Sequence, residues 1–165
     1  MSELLDLAER TLALAKGDEQ AEVFASRGTE TEVRVYQGEV EHLASASASG
    51  VGIRVVLPGP DGFRTGFAYA GTLDEGVIAE TFEAARQNAA FATPDPHGAL
   101  PKPDGYARAV LPAPSTSFSA TSTEAKVALA VELEAAVRSG DHRIRQVDSA
   151  DYSDGWGESA VASTA

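Results

Sequence analysis

The sequence contains no cysteine, so disulfides and thiolate metal sites are both excluded. It has no uninterrupted apolar run near the roughly 18 residues that a membrane-spanning helix needs. Basic residues are scarce: 13 Lys and Arg stand against 25 Asp and Glu, for a formal charge of −12. They form no cluster, and a surface this acidic repels phosphate backbones, which argues against direct nucleic-acid binding. The N-terminus, MSELLDLAER, lacks the basic start and apolar core of a signal peptide, so a cytoplasmic protein is expected. What remains is ordinary for a globular chain. Apolar residues make up 43% and aromatics 7% of its 165 residues, enough for a sizeable core.

The chain is organised around Glu30 to Ala70. Val33 and Val35 alternate with Glu32, Arg34 and Tyr36, the period of a half-buried strand. Gln37-Gly38 offers a two-residue turn, and a second strand is expected from Glu39 to Ser47. Gly50 and Gly52 mark the start of a third as a bend or close approach, with Val51, Ile53, Val55 and Leu57 on one face. Pro58 to Gly62 is a strong turn signal. In a fourth strand, Phe63, Thr65, Phe67 and Tyr69 share a face. The expectation is an antiparallel four-strand meander.

Around it, Ser2 to Lys16 reads as an amphipathic helix with Leu4, Ala8, Thr11, Leu12 and Ala15 on one stripe and Gly17 as its cap. A separate strand is expected from Gln20 to Arg27. Thr72 to Glu75 reads as a capping box, opening a helix to Phe91 with Ile78, Phe82, Ala85 and Ala89 in line. From Thr93 to Ser122 lie six of the eight prolines, a connecting segment or a wrap over the surface. A second box, Thr121 to Glu124, opens a helix with Leu129, Leu133, Ala136 and Val137 at helical spacing, closed by Gly140. Arg143–Ser149 and Trp156–Ser163 are expected to pair around the turn DYSDG. Strands grouped apart from about three helices give an α+β fold with a mostly antiparallel sheet.

The residues that carry chemistry form no centre. His42, His97 and His142 are far apart and none belongs to a zincin-type pair. His42 reads as a strand residue, His97 as a loop residue, and His142 as part of a basic bend with Arg143 and Arg145 beside a helix end. Asp148, Asp151, Asp154 and Glu158 invite a calcium-loop reading, but their spacing fails the EF-hand pattern, and a solvated hairpin turn is expected instead. Gly50-Val51-Gly52 lacks the third glycine of a dinucleotide fingerprint. No serine stands in a nucleophile elbow. No catalytic, cofactor-binding or metal residue is assigned.

Several stretches together do resemble a known family. Gln37-Gly38-Glu39-Val40-Glu41, Gly50-Val51-Gly52-Ile53-Arg54-Val55, Gly66-Phe67-Ala68, the alanine-rich helix ending in Asp95-Pro96, AEVFAS and the closing VDSADYSDGWGESAVAST resemble the N-terminal domain of the TldD/PmbA proteins. That family is metallopeptidase-related, and its members carry the name modulator of DNA gyrase. The resemblance covers nearly the whole chain and implies that residues 1–165 are one N-terminal α+β domain ahead of a larger C-terminal domain that is absent here. It implies a partial chain, cut short or from a divided gene. In TldD-type subunits a His-Glu-x-x-x-His metal motif follows this region. This sequence has no such motif, so no site residue carries over and zinc would belong to the full-length complex. GEVEH and ATPDPHGALP are closer to the PmbA (TldE) type, and GFAYA to TldD.

The resemblance thus implies a domain without catalysis of its own, which shapes a substrate channel and a subunit interface. Its partners would be the C-terminal domain, a TldD- or PmbA-type subunit and a peptide substrate, and the isolated chain would self-associate. Two other readings stand beside it. One is a stand-alone module that offers a sheet edge to an extended peptide. The other is a protein that regulates gyrase by direct contact.

Overall fold

The structure, a computed structural model, describes residues 2–103, 105 and 120–165. The elements in order are α1 (Glu3–Leu12), β1 (Gln20–Tyr36), β2 (Glu39–Gly59), β3 (Gly62–Ala70), α2 (Glu75–Phe91), α3 (Thr123–Gly140) and β4 (Ala150–Ser163). The strands form one four-stranded sheet in the order β3-β2-β1-β4. β2 and β3 pair antiparallel from Val51↔Ala70 to Gly59↔Gly62. β4 runs against β1, as Ala21 O accepts from Thr164 N while Arg34 meets Asp151. The fold class is α+β, as the grouping of strands and helices implies.

The strands are longer and fewer than the sequence suggests. Gln20–Arg27 and the first meander strand are one element of 17 residues. The expected second and third strands are one element of 21. Gly28 and Gly50 both lie inside these strands where a neighbouring strand comes close, at Gly50 as one of the two expected alternatives: a Cβ at Gly28 would sit 2.7 Å from Trp156 O, and one at Gly50 2.7 Å from Ala70 O. At the other end of the chain, Arg143–Ser149 is not a strand, and DYSDG lies inside β4 and does not form a turn.

Helix starts also shift. α1 spans Glu3–Leu12 and ends before Lys16, although Gly17 does adopt a positive φ of 62°. The N-caps are Asp74, accepting from Val77 N, and Ser122, accepting from Ala125 N. Neither Thr72 nor Thr121 caps, so neither expected box is built. Of the proline-rich stretch 93–122, Asp104 and 106–119 lie outside the described residues. The part before them is tied down: Asp95 exchanges both backbone bonds with Phe63 (2.9 and 2.8 Å), and buried Leu100 donates its N–H to Gln20 Oε1 at 2.7 Å.

The chain divides into two compact units. The first holds the chain to Arg27, β2 from Ala48, β3, α2 and the end of β4 from Glu158. Its core is Leu7 and Ala8 of α1, Ala21 and Val23 of β1, Val51, Ile53 and Val55 of β2, Ile78, Phe82 and Ala85 of α2, and Ala162. The apolar alternation of β2 and the expected α2 stripe are both found there. The second unit holds Gly28–Ser47, α3 and the chain up to Gly157, with Val33, Val35 and Ala130 at its centre and Val127, Val131 and Tyr152 around them.

In the second unit α3 is turned away from its apolar stripe. Leu129 and Leu133 are each 49% exposed, while Lys126 (5%) and Glu134 (2%) are buried with Ala130. Hydrogen bonds account for the inversion. Lys126 Nζ reaches Asp154 of β4 at 2.9 Å and Thr31 Oγ1 at 3.3 Å. The Glu134 carboxylate accepts from Gln37 N (2.8 Å) and Gly38 N (2.6 Å). Those two residues turn β1 into β2, with φ values of 54° and 81°, the left-handed pattern of a tight hairpin. Glu134→Ala is therefore expected to lower stability by about 1.5–3 kcal/mol, the range for bonds to a charged group. Urea denaturation followed by the fluorescence of Trp156, the single tryptophan, reads this directly. A loss under about 0.5 kcal/mol, the scale of a neutral surface change, would mean that water replaces the carboxylate.

Candidate functional site

The residues singled out by chemistry are scattered. His42 is exposed on β2 and borders an open hollow of about 520 Å³ with Glu32, Arg34, Asp151 and Ser153. Asp151 is already engaged there: Arg34 Nε lies 2.6 Å away and Ser149 Oγ 2.8 Å away, and together, Arg34 first, they hold its carboxyl below the usual range. His97 is exposed, and its backbone N–H donates to Asp95 Oδ1. His142 follows Asp141, whose carboxylate Arg143 grips from both ends.

The four acids of the closing segment do not converge. Burial pushes Asp154 up, but Lys126 and the Tyr152 hydroxyl outweigh it and keep the carboxyl below its ordinary value. Glu158 accepts from Ser2 Oγ and Arg27, and both depress it. Asp148 is exposed. Among the described residues no group of three His, Cys, Asp or Glu is placed to hold a metal ion.

A continuous surface feature lies instead in the first unit. One sheet face is covered by α1 and α2, and the other carries aromatics. Strand alternation puts Phe24 opposite Val23 and Ala25, and Val161 opposite Ala162. The β2–β3 register sets Phe67 beside Arg54 and Tyr69 beside Gly52, away from buried Ile53 and Val55. Tyr69 is 78% and Phe67 57% exposed. The Phe67 ring lies across Gly52, where an added Cβ would come within 3.2 Å of Cζ. Arg54 bridges to Glu22 of β1 at 2.8 Å, yet its Nε is buried and has no hydrogen-bond partner among the described residues.

An unpaired buried donor costs about 1–3 kcal/mol. Exposed Phe67 stands beside Arg54 and exposed Tyr69 beside Gly52 on the same face, and Tyr, Phe and Arg are residue types enriched at interface centres. The shared face of Phe63, Thr65, Phe67 and Tyr69 was legible in the sequence. Arg54 was not, since a lone arginine in a strand reads as a solvated residue.

Fold and surface together define an α+β domain whose first unit exposes aromatics on one sheet face. The first of two family models, PmbA/TldA metallopeptidase domain 1, matches residues 21–89, and the second, the PmbA/TldA metallopeptidase central domain, matches residues 116–165. The chain belongs to the PmbA/TldD family. The two matched segments are interleaved in the fold, because 28–47 falls in the second unit and 158–165 in the first.

Solved structures with the same fold include a candidate modulator of DNA gyrase from Bacteroides thetaiotaomicron (18% identity, TM-score 0.81, 99% of this chain and 37% of that one). A candidate modulator of a DNA gyrase from Thermotoga maritima is similar at 19% identity and TM-score 0.78, over 96% of this chain and 35% of that one. TldE from Thermococcus kodakarensis is similar at 20% and 0.76, over 98% and 34%. The chain thus spans about a third of the length of these structures. Among curated proteins no match was found. No described helix is long and apolar enough to cross a membrane.

Proposed function

We propose that this chain is the non-catalytic N-terminal part of a TldD/PmbA-type, metallopeptidase-related protein, and that it shapes the substrate channel and the subunit interface of a cytoplasmic assembly. On this reading residues 1–165 act as one domain, of the PmbA (TldE) type, and any zinc is held by the remainder of the complex. The observation that carries the proposal is the aromatic face of the first unit, with Phe24, Phe67 and Tyr69 exposed around the unpaired Arg54 Nε. Such a face suits a protein surface that brings apolar side chains and one acceptor oxygen.

Two of the structural relatives are described as candidate modulators of DNA gyrase. For this chain that role would require acids arranged like phosphates. Glu19, Glu22, Asp151, Asp154 and Glu158 are instead each paired with Arg or Lys, which favours the peptidase-related reading.

The test is hydrogen exchange of the chain mixed with TldD-type and with PmbA-type subunits of the family. Protection of β3 around Phe67 and Tyr69 is expected with one of them, and Tyr69→Asp should weaken that binding at least about tenfold, 1.4 kcal/mol. Binding that leaves β3 unprotected, no binding to either subunit, or intrinsic peptide hydrolysis that survives repurification would each overturn the reading.

A further inference from the structure

We propose that Arg138 and Arg145 form a binding site for a single carboxylate that carries an aliphatic group. The site lies wholly in the second unit. It is independent of the aromatic face of the first and of the function inferred from that face. Arginine in this chain is almost everywhere neutralised. Arg10, Arg27, Arg34, Arg54, Arg86 and Arg143 each meet an Asp or Glu within 3.0 Å, and Arg64 donates to the Ala90 carbonyl. The side chains of Arg138 and Arg145 have neither an ion pair nor a hydrogen bond among the described residues, although acids outnumber bases by 25 to 13.

The two arginines meet at the same place. Both border a hollow of about 420 Å³ whose wall includes Ala135 and Ile144. Both also border a smaller one of about 270 Å³, with Gln37, Glu134, Gln146 and Val147. Their frame is fixed from several directions. Glu134 ties α3 to the hairpin through the amides of Gln37 and Gly38, and Arg138 follows one turn later on the same side of the helix. Beyond the helix, Ile144 N donates to Asp141 O at 3.0 Å and closes a turn. Gln146 Nε2 then donates to Tyr36 Oη at 2.9 Å, and Gln37 Nε2 donates to the same oxygen at 3.1 Å. Arg145 is thus held between a closed turn and an anchor on β1. Each of the two amide nitrogens keeps a second hydrogen for a ligand.

Charge selects the ligand. Two guanidiniums against the Glu134 carboxylate leave a surplus of one positive charge at the hollows, so a monoanion completes the site. Arg143 adds nothing, because Asp141 takes it at both ends. A dianion such as phosphate would face Glu134, and a polyanion would also meet the field of a chain of charge −12. A carboxylate carries one charge on two coplanar oxygens, which match the planar fork of a guanidinium. Ala135 and Ile144 beside the arginines give an aliphatic group on the neighbouring carbon a surface to cover. The C-terminal residue of a peptide and a free aliphatic acid share this chemistry.

N-acetyl-leucine is the first probe, titrated into the 165-residue chain and followed by the side-chain N–H resonances of arginine. Saturable shifts are expected at Arg138 and Arg145. Arg138→Gln and Arg145→Gln, both at exposed positions, should each weaken binding at least about tenfold. Arg143→Gln should change it less than about twofold. Trp156 fluorescence checks that the second unit of each variant is folded. N-acetyl-leucinamide, which lacks the charge, should not bind the parent chain, a comparison that needs no variant. Ala-Ala-Ala-Leu with a free carboxyl end separates the two sources: tighter binding than N-acetyl-leucine assigns the site to chain ends, and binding no tighter assigns it to free acids. Four results would overturn the proposal: no saturable shift, equal shifts with the amide, tighter binding of inorganic phosphate, or a loss in Arg143→Gln as large as in Arg145→Gln.

Discussion

Gly66→Ala is expected to destabilise the first unit by about 3–5 kcal/mol, at the upper end for a single substitution. A Cβ at Gly66 would stand 2.1 Å from Ala85 O, 2.2 Å from Ala89 N and 2.8 Å from Ala89 Cα. All three atoms are helix backbone, so no side chain can swing aside and α2 must lift from β3. Lifting it breaks the bond from Asn88 Nδ2 to Phe67 O (2.9 Å) and opens the core that Ile78, Phe82 and Ala85 fill. Gly71→Ala is the control: nothing lies within 4 Å of its added Cβ, and its effect should stay within about 0.5 kcal/mol. Urea denaturation followed by circular dichroism measures both. Trp156 fluorescence reports the second unit separately, because Trp156 belongs to Gly28–Ser47 and the chain up to Gly157. Equal midpoints for the two variants would mean that the α2–β3 contact yields at little cost.

The sequence made some of this architecture legible because the apolar period agreed with burial. Val51, Ile53 and Val55 alternate inward and Ile78, Phe82, Ala85 and Ala89 form one stripe, so their strand and helix could be read directly. Where glycine serves close approach between strands, as at Gly50, the same letter also fits a bend at a strand start, so one long strand reads as two.

α3 shows the reverse problem. Its periodicity points Leu129 and Leu133 inward, but the hairpin amides of Gln37 and Gly38 and the acid of Asp154 draw Glu134 and Lys126 to the sheet. Those partners are distant in sequence, so no local pattern announces them. Arg54 was hidden for the same reason, since the lack of a partner for its Nε is a property of the fold. The family resemblance was legible because it rested on the order of short motifs and not on any one of them. Asp151, Asp154 and Glu158 of the closing segment do not converge, as each is engaged by a cation contributed from elsewhere.

Arg86→Ala is expected to cost about 2–4 kcal/mol, in the range for removing one partner of a largely buried pair, with some relief from solvent. Arg86 holds Glu19 by two bonds, Nε to Oε1 at 2.7 Å and Nη2 to Oε2 at 3.0 Å. Nη2 also donates to Leu14 O at 2.8 Å, Glu83 accepts from Nη1, and the guanidinium lies 5.1 Å from the centre of the Phe82 ring. One side chain thus ties the end of the α1 segment and the start of β1 to α2. The same pair sets an acid limb. The hydrogen bonds from Arg86, ahead of the opposing effect of burial, hold the Glu19 carboxyl below its ordinary 4.5. A carboxyl depressed in the folded state contributes its full stability above the unfolded value and loses it as pH falls through the folded one. The Arg86–Glu19 contribution should therefore be constant near neutrality and fade below about pH 4.5, where the unfolded chain takes up the proton first. Glu19→Gln keeps much of the shape and removes the charge, so it should cost about 1–2 kcal/mol near pH 7 and very little at low pH. Urea midpoints of the parent chain and Glu19→Gln, measured across the acid range, should converge as pH falls. Curves that stay parallel would show that Glu19 contributes packing and not charge.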